Sequence, residues 1–167
     1  MGFEEGDESF SYMVSENDDI IFAEEVYKIM GAAFKVYNTL GYGFLEAVYQ
    51  EALEMELSKR GIPFHAQKEI QLYYDGQLMK KKYIADVLCY DKIILELKVK
   101  SGIDGSDRTQ LINYLKATGC EAGLVINFGN PRQLDWKKYV FTNKKYLTQG
   151  LTEKSTHYSE DKESYTR

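Results

Sequence analysis

The sequence has few of the residues that build disulfide frameworks, metal–thiolate sites or membrane spans. Only two of its 167 residues are cysteines. Cys89 and Cys120 lack C-x-x-C spacing, which favours buried thiols over a zinc or redox site. No apolar run approaches the roughly 20 residues that cross a bilayer, and the acidic start, MGFEEGDESF, lacks the basic residues of a secretory signal. We therefore expect a cytoplasmic globular protein that makes no membrane association.

Histidine is equally scarce, which limits the kinds of catalytic site available. His65 lies at a predicted helix–strand junction and His157 lies in a polar tail, so neither is expected to have a functional role. Ser106 has no histidine placed to activate it as a nucleophile and is better explained as a helix cap. The sequence gives no support for a serine–histidine mechanism.

Positive charge is missing from the amino-terminal end but not from the centre of the chain. Residues 1–19 contain seven acids and no base, whereas residues 20–151 contain 18 bases and 15 acids, although the whole chain has a net charge of −5. A mildly basic body permits phosphate binding. We expect one domain over residues 20–147, between an acidic mobile segment, 1–19, and a polar mobile tail, 148–167.

The periodicity of apolar residues predicts an α/β sandwich. Helical spacing extends from Phe22 to Leu40 and from Leu45 to Leu57. Alternation up to Tyr74, followed by Asp75-Gly76, predicts a hairpin whose return strand begins at Leu78. The remaining predicted elements are strands at 83–90 and 92–99, a helix that Ser106 caps and Gly119 ends, a buried strand at 122–128 and a short strand at 139–141. The order is α, α, β, β, β, α, β, β.

Charged residues interrupt two of these apolar strands. Glu96 and Lys98 occupy one face of the strand 92–99, where burial of a charge is costly unless it is paired or bound to a metal. Asp86 stands between Ile84 and Leu88 on one face of the predicted neighbouring strand, almost opposite Glu96 if the two strands pair through a turn at Asp91. A divalent cation would relieve the repulsion between two such carboxylates. A structural ion pair that involves Lys98 is an equally available explanation.

Two helical features are ambiguous when taken alone. Glu46 lies at the edge of the second helix's apolar stripe, where the helix dipole alone would favour an acid. Gln110 and Tyr114 are four residues apart and share a face of the later helix. The run Lys80-Lys81-Lys82 is compatible with a solvated hairpin edge or with a grip on a nucleic-acid backbone.

Several motifs together resemble one protein family. Gly43-Phe44-Leu45-Glu46-Ala47-Val48-Tyr49 resembles the signature of the GxxExxY proteins, a branch of the PD-(D/E)XK nuclease superfamily. The resemblance spans roughly residues 22–142 and continues, in the same order, through Tyr83–Asp86, Leu95–Lys98, Gln110–Leu115 and Ile126–Gly129.

The resemblance implies a restriction-endonuclease-like fold, with an αβββαβ core and a mixed central sheet flanked by helices. It implies a nuclease that hydrolyses phosphodiester bonds in nucleic acid, DNA rather than RNA, with Mg²⁺ or Mn²⁺ as cofactor. Metal ligands would be Asp86, Glu96, the Leu97 carbonyl and Glu46. Lys98 would orient or deprotonate the attacking water, and Gln110 with Tyr114 would steady that water or the substrate strand.

An inactive module that keeps the fold is the alternative function. Ile84 and Asp107 stand where similar proteins often have Arg and His, which would remove a phosphate contact and a partner of the site. Such a module would bind nucleic acid or another protein without cutting. The sequence leaves the oligomeric state open, a homodimer included.

Overall fold

The computed structural model describes residues 21–141. The predicted segments 1–19 and 148–167, as well as His157, lie outside the described residues. Within them the chain forms α1 (Ala23–Leu40), α2 (Glu46–Lys59), β1 (Phe64–Tyr74), β2 (Gln77–Cys89), β3 (Ile93–Lys98), α3 (Gly105–Thr118), β4 (Ala122–Asn127) and β5 (Asp135–Val140). This order confirms the predicted α/β arrangement. Each of these helices is too short or too polar to span a bilayer.

The five strands form one mixed sheet in the order β1-β2-β3-β4-β5. β3 and β4 are parallel, with α3 as the connection between them, and the other neighbouring pairs are antiparallel. β3 is the central strand and is buried on both faces, as its nearly continuous apolar sequence predicts. Charged residues on this strand therefore have limited access to water.

Two apolar clusters cover the two faces of the sheet. α1 and α2 pack on one face, against Ile93, Leu95 and Leu97 of β3. α3 packs on the other face, against Ile94 and the apolar residues of β4 that point the same way. The predicted alternation of β3 is confirmed, and it places Glu96 and Lys98 on the α3 side of the sheet.

Several local predictions differ from the structure. The return strand after Asp75-Gly76 and the strand predicted at 83–90 form one continuous β2. β1 and β5 are also longer than predicted, because pairing with a neighbour extends strands past their apolar residues. Leu45, the N-cap of α2, and Val48 are 79% and 38% exposed, whereas Tyr49, Leu53 and Leu57 of α2 are buried against the sheet.

Ser106 does not cap α3, contrary to the prediction. Asp104 is the N-cap, and its carboxylate accepts hydrogen bonds from the backbone N–H groups of Ser106 and Asp107, at 2.8 and 3.4 Å. The Asp107 carboxylate accepts from the Asp104 N–H at 2.9 Å, which completes a capping box. Asp104 caps the helix because it precedes the first helical turn, whereas Ser106 lies within that turn.

Hydrogen bonds join the segment that follows β3 to the end of β4, and we call this contact the clamp. The buried side chain of Asn127 accepts from the Lys100 N–H at 2.9 Å and donates to the Lys100 carbonyl at 2.8 Å. Gly129 passes so close that a Cβ there would lie 2.4 Å from the Lys100 nitrogen. The clamp holds the backbone immediately after Lys98 in place.

We predict that Gly129→Ala destabilises the protein by about 1–3 kcal/mol, because its methyl group would overlap backbone atoms that cannot move independently. Gly102→Ala is the matched control, since a Cβ at Gly102 has no atom within 4 Å. Urea unfolding of both variants measures the difference. Equal stability of the two variants would contradict the close approach at Gly129.

Candidate phosphodiesterase and metal site

The two strand carboxylates meet at the point where β2 and β3 separate. The pairing of Val87 with Leu95 brings Asp86 opposite Glu96 at the next position. Oδ2 of Asp86 accepts a hydrogen bond from the backbone N–H of Leu97 at 2.7 Å, so the side chain takes the place of a strand partner. The predicted proximity of Asp86 and Glu96 is thus observed.

An irregularity in β1 and β2 turns Asp86 toward β3. Gln67, which lies opposite Asp86 in the β1–β2 register, has a left-handed backbone with φ of 50°. Ala85 and Leu88 both pack in the α3 cluster although they are three residues apart, and Val87 packs in the other cluster. The predicted face shared by Ile84, Asp86 and Leu88 is therefore wrong, because strict alternation breaks at Asp86; Ile84 is 47% exposed.

Glu96 is the least solvated acid of the group. Its side chain is 3% exposed, and Oε1 has no hydrogen-bond partner within residues 21–141. Burial, and next the negative charge of Asp86, raise the pKa of Glu96 to about 8, and Lys98 opposes the shift. Burial also raises the pKa of Asp86, against the opposing effects of the Leu97 N–H, Lys98 and a hydrogen bond from Gln67.

Glu46 belongs to the helix that packs on the face of the sheet opposite α3. It is the first residue of α2, and partial burial of its carboxyl group and the charge of Asp86 raise its pKa, whereas Lys98 lowers it. Glu46 also contributes to the raised pKa of Glu96. The carboxyl groups of Glu46, Asp86 and Glu96 therefore lie close enough to interact electrostatically. Lys98 lowers the pKa of all three.

The segment before Glu46 is tied down by Tyr49, a residue of the quoted signature to which no role was predicted. The buried hydroxyl of Tyr49 donates to the Gly41 carbonyl at 2.5 Å and accepts from the Phe44 N–H at 3.3 Å. Gly43 in the same loop has φ of 109°, a conformation that favours glycine. Gly43 therefore allows the turn, Tyr49 anchors it, and Glu46 presents its carboxylate immediately after it.

Lys98 is held by the two α3 residues that were predicted to join the site. Its Nζ donates to Oε1 of Gln110 at 2.8 Å, and Nε2 of Gln110 donates to the hydroxyl of Tyr114 at 3.2 Å. Burial raises the pKa of Tyr114, which favours the neutral phenol as the end of this chain. All six predicted side chains, from α2, β2, β3 and α3, thus belong to one connected region.

Other predicted or similar positions have different roles. Asp107 is buried and forms an ion pair with Lys100 at 2.8 Å, away from Lys98. Lys80, Lys81 and Lys82 are exposed on β2, and Lys82 pairs with Glu69 at 2.6 Å.

The structure also adds a residue that the sequence analysis did not single out. Gln50 donates to the Asp86 carbonyl at 3.0 Å. The prediction of buried thiols is confirmed for Cys89 and Cys120, and burial raises the pKa of Cys89 to about 12.

A family model decides the affiliation of the chain. The model for the PD-(D/E)XK nuclease superfamily matches residues 23–139. The chain belongs to the PD-(D/E)XK nuclease superfamily. Asp86 and Glu96-Leu97-Lys98 stand in the order that the superfamily's name describes, and the mixed five-stranded sheet flanked by helices agrees with its restriction-endonuclease-like fold. The narrower GxxExxY assignment stays a prediction.

Other comparisons add little to the superfamily assignment. No curated protein matches the sequence. A solved structure described as the crystal structure of SSO0001 has 16% sequence identity and a TM-score of 0.49, over 92% of this chain and 82% of that chain. The assignment therefore depends on the family match.

The donor set fits a hard divalent cation, as expected for a PD-(D/E)XK nuclease. Within the described part of the chain, the buried Oε1 of Glu96 has no hydrogen-bond partner, a cation could bind it, and Asp86 and Glu46 offer further carboxylate oxygens. Residues 21–141 contain no three acidic, histidine or cysteine side chains already close enough to hold an ion. Binding would therefore require the carboxylates to draw together, which a cation favours by offsetting their repulsion.

We predict that Glu96 makes the metal-free protein less stable as pH rises. The pKa of Glu96 is about 8 in the folded protein and about 4.5 when the side chain is exposed, so between these pH values the folded state holds a proton that the unfolded state releases. Relative to wild type, Glu96→Gln should raise the free energy of unfolding by roughly 2–4 kcal/mol more at high pH than at low pH. The reason is that one unit of pKa difference between the folded and unfolded states corresponds to about 1.4 kcal/mol.

Urea unfolding of both proteins in chelator, at about pH 5 and about pH 9, measures this difference. Glu51→Gln, an exposed change on α2, controls for the loss of one acidic group. A stability difference between wild type and Glu96→Gln that does not change with pH would contradict the buried state of Glu96.

Proposed function

We propose that this protein is a divalent-metal-dependent nuclease that hydrolyses phosphodiester bonds, with Mg²⁺ or Mn²⁺ as cofactor and DNA as the preferred substrate. The observation that carries the proposal is the buried Glu96 carboxyl, whose Oε1 has no hydrogen-bond partner within residues 21–141 and whose pKa responds to the charges of Asp86, Glu46 and Lys98. Superfamily membership supplies the reaction class.

The residues divide the chemistry in a way that suits phosphate hydrolysis. Glu46, Asp86 and Glu96 would hold the cation, which when bound supplies positive charge to the phosphate oxygens and acidifies water. Oxygen ligands of this kind are those that Mg²⁺ prefers. The Leu97 carbonyl remains a proposed further ligand, while its N–H orients the Asp86 carboxylate.

Lys98 has the position of a group that orients the attacking water and offsets charge on the phosphate. Gln110 holds the ammonium group through its Oε1, so the side chain is directed toward the carboxylates before substrate binds. Tyr114 fixes the amide of Gln110 in the orientation that presents Oε1 to Lys98. Gln110 and Tyr114 are thus proposed to position Lys98, rather than to react.

We expect purified protein to cleave DNA only in the presence of Mg²⁺ or Mn²⁺. Glu96→Gln and Lys98→Met should each lower the rate at least about 100-fold, the scale of losing one preorganised charged contact. The matched controls Glu51→Gln and Lys35→Met change exposed residues on α2 and α1 and should leave the rate unchanged. Gel assays with plasmid, labelled DNA strands and labelled RNA measure cleavage.

Glu96→Gln is a sharp test because it removes a buried charge and is expected to raise stability, so lost cleavage could not be attributed to unfolding. Absence of cleavage under all metal conditions, or cleavage that survives Glu96→Gln, would overturn the proposal.

A metal-independent binding module is the second candidate. It is favoured by the absence, within residues 21–141, of a preassembled set of three ligands and by the engagement of Asp107 with Lys100. Calorimetric titration with Mn²⁺ separates the two candidates. We expect binding that Asp86→Asn weakens at least about tenfold, with Glu51→Gln as control. Binding of nucleic acid without any metal binding would favour the module.

A further inference from the structure

A second concave feature opens beside the proposed catalytic site. A cleft of about 510 Å³ lies between β2 and α3, lined by Tyr83 from β2 and by Ser106, Thr109, Gln110, Asn113 and Tyr114 from α3. Gln110 belongs to both features, because its Oε1 accepts from Lys98 while its other side faces the cleft. A group bound in the cleft would thus lie one side chain away from Lys98.

The walls of the cleft combine an aromatic surface with available polar groups. The rings of Tyr83 and Tyr114 lie 4.9 Å apart at 36°, which makes a tilted aromatic wall. Within residues 21–141 neither the Tyr83 hydroxyl nor the exposed Asn113 amide has a hydrogen-bond partner. The hydroxyls of Ser106 and Thr109 already donate, to Asp104 and to the Gly105 carbonyl. Tyr83 and Asn113 therefore supply hydrogen-bond donors that a ligand can still use.

Charge at this end of α3 argues against a phosphate in the cleft. The Asp104 carboxylate already caps the helix, and the Asp107 carboxylate lies beside it. A phosphate would meet two negative groups, and the N–H groups of Ser106 and Asp107 already donate to Asp104. A planar, uncharged ligand with hydrogen-bonding edges fits better, because it can contact the ring of Tyr83 and pair with an amide.

Lysine residues lie near the cleft at two positions in the chain. Lys98 donates to Gln110, which lines the cleft. Lys81 is exposed, makes no ion pair within the described chain, and lies two residues before Tyr83 on β2. Positive charge close to the cleft favours a planar ligand that is part of a nucleic-acid strand, because the phosphates on either side of a base are attracted to lysine.

We propose that the cleft between β2 and α3 binds an unpaired nucleobase of the strand that is cut, so that the protein selects single-stranded or frayed nucleic acid over a fully paired duplex. This inference rests on the proposed nuclease function and adds strand selection to it. A base inside a duplex could not enter, because its edge is paired and its faces are stacked.

The test measures binding separately from cleavage. Full-length Glu96→Gln protein is titrated, in Mg²⁺, into a short fluorescein-labelled DNA strand and into the same sequence as a blunt duplex, and anisotropy reports affinity. We expect the single strand to bind about 5- to 100-fold more tightly, the range that loss of one base–aromatic contact produces. A single abasic residue at one position of the strand should lower affinity by a similar factor.

Variants of the cleft assign the preference to named residues. In the same Glu96→Gln background, Tyr83→Leu keeps an apolar contact with Tyr114 but removes the aromatic wall, and Asn113→Ala changes an exposed side chain. Both should abolish the single-strand preference and the effect of the abasic position. Tyr74→Ala, at the 76% exposed tip of the same hairpin, is the control and should change neither.

Equal affinity for strand and duplex, no binding to either, or a preference that survives both cleft variants would overturn the inference. The wild-type cleavage assay separates this failure from failure of the proposed function. Cleavage that requires Glu96 but ignores strandedness would leave the nuclease in place and remove only the role of the cleft.

Discussion

The buried carboxyl group of Glu96 is the constraint on which the site depends. Central strands of an α/β sheet exclude water from both faces, so an acid there is stable only when it is protonated or when a cation compensates its charge. Glu96 meets one weakly opposing cation, Lys98, and two further acids, and its Oε1 has no partner within the described residues. The fold therefore maintains an unfavourable charge arrangement that a metal ion would make favourable.

Much of the surrounding structure holds side chains around this carboxyl group. Tyr49 anchors the turn that presents Glu46, and the N–H of Leu97 orients Asp86. Gln110 and Tyr114 align Lys98 from α3. Four different elements thus contribute, which explains why the matching motifs are spread over the chain: each marks the one point where its element reaches the site.

The proposed base cleft extends this arrangement without adding a new element. The same helix that positions Lys98 through Gln110 also forms one wall of the cleft, and the strand that carries Asp86 supplies the other wall through Tyr83. Binding of a strand and placement of its phosphate would then be coupled by rigid secondary structure. Sites built on helices and strands hold such geometry more accurately than sites on loops.

The sequence by itself determined the order of the elements and the identity of the charged residues on buried strands, because both depend on local periodicity. Glu96 and Lys98 stood out where an apolar residue was expected, and the matching motifs brought in Glu46, Gln110 and Tyr114. Only the tertiary structure decided how Asp86 turns toward β3, since the left-handed backbone of Gln67 breaks the alternation.

The cap of α3 and the cleft at Tyr83 likewise depended on three-dimensional contacts. Asp104 and Ser106 are both acceptable caps by residue type, and the position of the first helical turn selects Asp104. The cleft is formed by side chains from β2 and α3 that lie more than twenty residues apart in the chain. Periodicity reports which face of an element is buried, but packing between elements sets the space left between them.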